Sequence, residues 1–210
     1  MIRLFPILFI LLWASAFVTS KAIVEDSSPF AALSLRFGFV SFGFFIFCII
    51  TSNKIILPIK FFLKASVIGI CFHGLYLGGV FYAIDKNLSV GITAIIVSLQ
   101  PILTALFAGP LLKEVVTWKQ WIGIVLGFFG TLMVIGFDIG SSIPLIALMA
   151  SIVGLIAITS GTLLQRKIGI DIPLATSNFY QAFSAFIFLI IVTYVFENPF
   201  INFSSDFILS

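Results

Sequence analysis

The chain has 210 residues, of which 61% are hydrophobic, 16% aromatic and only 9% charged, with a formal net charge of +3 and a mean hydropathy of +1.27. A soluble domain carries roughly a quarter charged residues and, at this size, has no interior large enough to hide so much apolar surface. The composition excludes a soluble enzyme, a nucleic-acid binder and a disordered chain, and it makes the lipid bilayer the expected solvent.

In chain order, the charged residues leave seven long uncharged windows: Leu4 to Ser20, Phe37 to Asn53, Ala65 to Ile84, Asn87 to Leu112, Gln120 to Phe137, Ile139 to Gln165, and Ile172 to Phe196. A helix crosses a hydrocarbon core of about 30 Å with about 20 mostly apolar residues, within a range of roughly 17 to 25. Every window meets that length. Barrel strands are short and alternate in polarity, whereas these runs are continuous. A helix also satisfies its backbone amides within its own segment, as an apolar solvent requires. The expected fold is all-α, a polytopic membrane helix bundle with seven transmembrane helices.

The loops are short, so Lys and Arg on alternate sides give the orientation. With the N-terminus cytoplasmic, Arg3, Lys54, Lys60, Lys64, Lys113, Lys119, Arg166 and Lys167 fall inside, and Lys21 and Lys86 outside. The expected location is the inner (plasma) membrane, multi-pass, with the N-terminus cytoplasmic and residue 210 external. Ala14-Ser15-Ala16 has the form of a signal-peptide cleavage site, but the apolar stretch continues through Val18 to Ile23, which favours a retained helix.

Helix one carries Trp13, Ser15, Thr19 and Ser20, which fit either a solute pathway or packing through small polar groups. In helix two, Arg36 snorkels outward, faces a cavity, or pairs with Glu25, Asp26 or Asp85, the last being preferred. Helix three holds His73, the single histidine, with Tyr76 one turn on, on the same face. An ionisable group at bilayer depth is a functional candidate by default. In helix four, Ser98, Gln100, Pro101 and Thr104 surround a proline that cannot donate to the carbonyl of Val97. That carbonyl must find water, a side chain or a ligand, and interrupted helices mark binding sites in transporters. Gly123, Gly127 and Gly130 form a small-residue stripe on helix five, suited to close helix packing or dimerisation.

Shifting the chain by 144 residues lays Pro29 on Pro173, Ala31 on Ala175, and Phe39, Phe42, Phe44 and Ile46 on Phe183, Phe186, Phe188 and Ile190. Windows one and two then correspond to six and seven, a five-helix repeat. Because five is odd, the second copy crosses the membrane in the opposite sense, as in many secondary transporters.

Leu12-Trp13-Ala14-Ser15-Ala16-Phe17, Pro29 with Leu35-Arg36-Phe37, Pro101-Ile102-Leu103-Thr104-Ala105, Lys113-Glu114 and Trp118-Lys119-Gln120-Trp121-Ile122-Gly123 together resemble the EamA-type drug/metabolite transporter (DMT) superfamily. The resemblance implies two inverted five-helix repeats, a central cavity, and transport of small organic metabolites or amphipathic compounds. On that pattern residues 1–140 are the first repeat and 141–210 a partial second one. A homodimer or a complementing partner would then supply the helices beyond the seventh. The substrate pathway expected is Trp13, His73, Tyr76, Ser98, Gln100, Pro101 and Thr104. Paired carboxylates, a nucleophile constellation, a phosphate-binding loop and a metal-ligand cluster are all missing from the sequence, so no enzyme activity, cofactor or metal is expected. The reading is a secondary transporter working by alternating access on a small-molecule solute. Its alternative is a non-transporting membrane protein, either a scaffold or assembly factor or an inactive remnant.

Overall fold

The computed structural model describes residue 8 and residues 20–135, 143–168 and 172–199. Helical backbone runs over 20–26. Then follow α1 (Pro29–Ile50), α2 (Ile59–Asp85), α3 (Val90–Leu112), α4 (Trp118–Ile135), α5 (Leu145–Ile168) and α6 (Leu174–Phe196). Among the described residues, α1, α2, α3, α5 and α6 are long and apolar enough to cross a membrane. The 18-residue α4 fills the fifth expected window. The first window lies outside the described residues apart from Leu8 and Ser20. The chain is a multi-pass, all-helical membrane bundle.

Proline and short turns set the helix ends. Pro29 opens α1 where its missing N–H is harmless. Asn87 and Lys113 adopt positive φ, 64° and 58°, just beyond the ends of α2 and α3, in the left-handed conformation that closes a helix C-terminus.

The most extensive helix pair is α1 against α6, and it is antiparallel. Leu33 and Phe37 pack in one cluster with Ala182, Ala185 and Leu189. Polar groups fasten the pair at both ends. Beyond the C-terminus of α1, the Thr176 hydroxyl donates to the carbonyl of Lys54 at 3.0 Å, and the Tyr180 hydroxyl donates to that of Ile55. At the opposite end, the Glu197 carboxylate accepts the backbone N–H groups of Phe30 and Ala31 at 3.1 and 3.3 Å. A carboxylate there answers the unpaired amides and positive dipole end of α1. Ser28 Oγ donates to the carbonyl of Asn198 at 3.2 Å.

Helix α2 changes to a π-helical pitch over Ile70–Tyr76 and returns to α pitch to Asp85. On either side of that segment it touches its neighbours through glycine. A Cβ on Gly79 would lie 2.5 Å from the Ala150 carbonyl oxygen of α5, and one on Gly154 of α5 would lie 3.1 Å from the Tyr76 carbonyl oxygen. A Cβ on Gly69 would run into the backbone of Gln181 in α6. The α4 stripe is used differently: a Cβ at Gly123 or Gly130 meets nothing within 4 Å among the described residues. Arg36 is exposed, with its guanidinium 5.9 Å from the ring centroid of its neighbour Phe37. Instead of meeting Arg36, Asp85 pairs with Lys86 at 2.8 Å.

Two outcomes follow. Gly79→Ala forces backbone apart and is expected to destabilise by about 1–3 kcal/mol, whereas Gly43→Ala, with nothing within 4 Å, is neutral or better; thermal unfolding in detergent compares them. Burial pushes the Glu197 carboxyl above its ordinary value of 4.5, while the Phe30 and Ala31 amides and Lys86 pull it back. A raised folded pKa favours the protonated form in the folded state. The stability it contributes is complete below 4.5 and is lost as pH rises through the raised value. Glu197→Gln has no proton to lose, so its melting temperature relative to wild type climbs over that interval.

Candidate functional site

Helix α3 is two helical pieces in line, Val90–Ser98 and Gln100–Leu112, joined at Leu99. The Ser89 hydroxyl caps the first, accepting the Ile92 N–H at 3.2 Å. Pro101 stands in the opening turn of the second, where a missing N–H breaks no bond of that piece. The sequence leaves the Val97 carbonyl in search of a partner. In the structure the turn tightens: Leu99 N–H reaches the Ile96 carbonyl at 3.1 Å, and a backbone N–H of the same turn reaches the Val97 carbonyl. The group is closed locally, which leaves the side chains beside the break as the polar features of the site.

Gln100 is the centre of these. Its amide Nε2 donates to Thr104 Oγ1 one turn on and to Thr162 Oγ1 of α5, both at 3.3 Å. Thr162 in turn donates to the Ile158 carbonyl of its own helix at 2.8 Å. Among the described residues no donor reaches the Gln100 carbonyl oxygen. An amide anchored through its nitrogen thus presents a free acceptor.

Gln100 borders a cavity of about 540 Å³, lined also by Pro101, Thr104, Ala105 and Ala108 of α3, Glu114 and the two valines after it, Gln120, Gly123 and Ile124 of α4, and Arg166 of α5. The wall is mixed, apolar with a few directed polar groups, which is the usual constitution of a small-molecule site. Glu114 and Arg166 form an ion pair of 2.8 Å, each side chain about half exposed. The α4 side is fixed by a reciprocal cap: Gln120 Oε1 accepts the Thr117 N–H at 2.8 Å, and the Gln120 N–H reaches back to Thr117 Oγ1 at 3.4 Å.

The structure therefore brings Gln100, Pro101 and Thr104 together and sets Ser98, His73 and Tyr76 elsewhere. Ser98 Oγ donates to the Ile95 carbonyl at 2.7 Å and does not line this cavity. His73 and Tyr76 lie in the π-helical segment of α2, with the His73 ring 4.7 Å from that of Phe37 and Tyr76 buried in the cluster that joins α1, α2, α3, α5 and α6. Trp13 lies outside the described residues. Among the described residues no three His, Cys, Asp or Glu side chains gather to hold a metal ion. Both cysteines are free thiols.

Sequence reasoning gave no site role to Glu114, Gln120, Thr162 or Arg166. Two signals were available. Thr117-Trp118-Lys119-Gln120 has the capping-box spacing, and Glu114 falls between Lys113 and Lys119, which the charge count assigns with Arg166 to the cytoplasmic face.

Residues 2–136 match the EamA-like transporter family. An uncharacterized transporter of Archaeoglobus fulgidus is 30% identical over 125 residues, 58% of this chain and 43% of that protein. The uncharacterized inner membrane transporter YedA of Escherichia coli K12 is 29% identical over 136 residues, 63% of this chain and 44% of the relative. The matched region is less than half the length of either relative. A protein of known crystal structure superimposes with a TM-score of 0.69 at 16% identity, covering 93% of this chain and 73% of that one, a likeness of fold.

The ion pair is half exposed, so solvent screens it. A double-mutant cycle with Glu114→Gln and Arg166→Gln is expected to give a coupling below about 1 kcal/mol, read as detergent melting temperatures that fall as salt is raised.

Proposed function

The chain belongs to the EamA-like transporter family, and on that premise we propose that it carries a small organic solute across the inner membrane by alternating access, through the cavity at Gln100. The observation that carries this reading is the Gln100 amide, held by two threonines from two helices at the wall of a cavity of about 540 Å³. A fixed acceptor among apolar walls selects a solute with a hydrogen-bond donor and an apolar body. The Glu114–Arg166 pair adds one charge of each sign at the same cavity.

The antiparallel pairing of α1 with α6 supports the inverted-repeat reading, with residues 1–140 as the first repeat and 141–210 opening the second. These are the two helices that the 144-residue shift superimposes, and an inverted second copy must run against the first. The lysine distribution supports a cytoplasmic N-terminus. With no acid in the middle of any uncharged window, facilitated diffusion or exchange fits better than a carboxylate proton relay.

The test is a panel of small organic solutes read by thermal stabilisation, followed by flux of the hits into proteoliposomes. Gln100→Ala removes the hydrogen bond to the solute, worth about 1–1.5 kcal/mol, so affinity for a stabilising solute falls about tenfold; it also removes both threonine bonds, so the melting temperature of the free protein falls as well. A hit whose affinity is untouched by both Gln100→Ala and Thr104→Val, or an absence of flux from correctly folded protein, overturns the proposal.

A further inference from the structure

A second hollow, of about 580 Å³, runs between α3 and α5 with a different set of walls. Leu103, Phe107 and Leu111 line it from α3, at the four-residue spacing of one helix face. Ile156, Ser160 and Lys167 are among the residues that line it from α5. The Thr159 hydroxyl in its wall is engaged by the Leu155 carbonyl at 2.7 Å, so the groove is apolar along most of its length and cationic at one end. The Gln100–Thr162 and Glu114–Arg166 contacts tie the middle of α3 and the turn that follows it to the C-terminal part of α5.

The ends of the groove identify its occupant. From Ile156, the middle of α5, to Lys167 the helix rises about 16 Å, close to the roughly 15 Å of a single leaflet's hydrocarbon. A spanning helix docked here would need a face of about 30 Å, twice what the groove offers. At the cationic end, Arg166 is engaged by Glu114, while no carboxylate reaches Lys167 among the described residues. Lys113, which follows the end of α3, and Lys119, at the start of α4, share that end of the bundle. Basic pockets between membrane helices attract anionic headgroups.

We propose that this groove is a binding site for an anionic phospholipid, with the phosphate at Lys167 and one acyl chain lying along α3 and α5 to the middle of the bilayer. The site is independent of the transport reading, and no solute enters its test. The chain, purified in uncharged detergent, is titrated with dioleoyl phosphatidylglycerol, dioleoyl phosphatidylcholine or inorganic phosphate, and followed by native mass spectrometry and thermal stabilisation. One phosphatidylglycerol per chain is expected, bound about fivefold more tightly than phosphatidylcholine, from one lysine near an anionic headgroup. Lys167→Gln, an exposed change that leaves the fold intact, removes the preference, and Ser160→Trp fills the groove and excludes both lipids. Equal affinity for the two lipids, indifference to Lys167→Gln, or stabilisation by inorganic phosphate alone overturns the site. So does the appearance of chain dimers, separated by Ser160→Trp, in place of lipid uptake.

Discussion

In hydrocarbon a polar group has no water to fall back on, and that constraint governs how this bundle is fastened. It is most visible in the α1–α6 pair. Neither helix has a strongly amphipathic pattern, and lipid is as apolar as their side chains, so burial of apolar surface gives them little reason to prefer each other over lipid. Side chains of one helix bind backbone groups at the ends of the other instead. Thr176 and Tyr180 hold the segment after α1, and Glu197 holds the first amides of α1. Midway, the Ser184 and Ser66 hydroxyls join α6 to α2 at 2.6 Å. The pair is closed where the backbone would otherwise be short of partners.

The remaining helices are positioned by close approach. Gly79 and Gly154 let α2 and α5 meet backbone to backbone, and Gly69 does the same for α2 and α6. Dispersion between backbones at contact distance is the main attraction left when solvent and side chains are equally apolar. With α5 fixed against α2, its far turns carry Thr162 and Arg166 to the region where α3 is interrupted. The site is thus assembled by a chain of contacts that begins at glycines some distance away.

The cavity lies between two departures from helical packing, the break of α3 beside Pro101 and the connection to α4 with its Lys113 turn and Thr117–Gln120 cap. Backbone demands there are met by tight turns and caps. Gln100, Glu114 and Arg166 line the same cavity, Gln100 held by threonines and the other two paired with each other. The same helix α3 serves two hollows, a mixed polar one on the Gln100 face and an apolar one on the Leu103–Phe107–Leu111 face. Those faces differ by a rotation about a single axis.

The sequence by itself determined the solvent, the helical class and the approximate positions of the spans. These depend only on composition averaged along the chain and on where charge interrupts it. It also located the interruption at Pro101, because proline's missing donor acts on its own helix. Tertiary structure decided what each span presents to its neighbours. His73 turned to Phe37, Asp85 to Lys86 rather than Arg36, and the Val97 carbonyl inward to its own turn, while Gly79 and Gly154 made the close contact that Gly123 and Gly130 did not. A helix apolar on every side carries little information about its own rotation, so its polar residues acquire partners only when the neighbouring helices are in place.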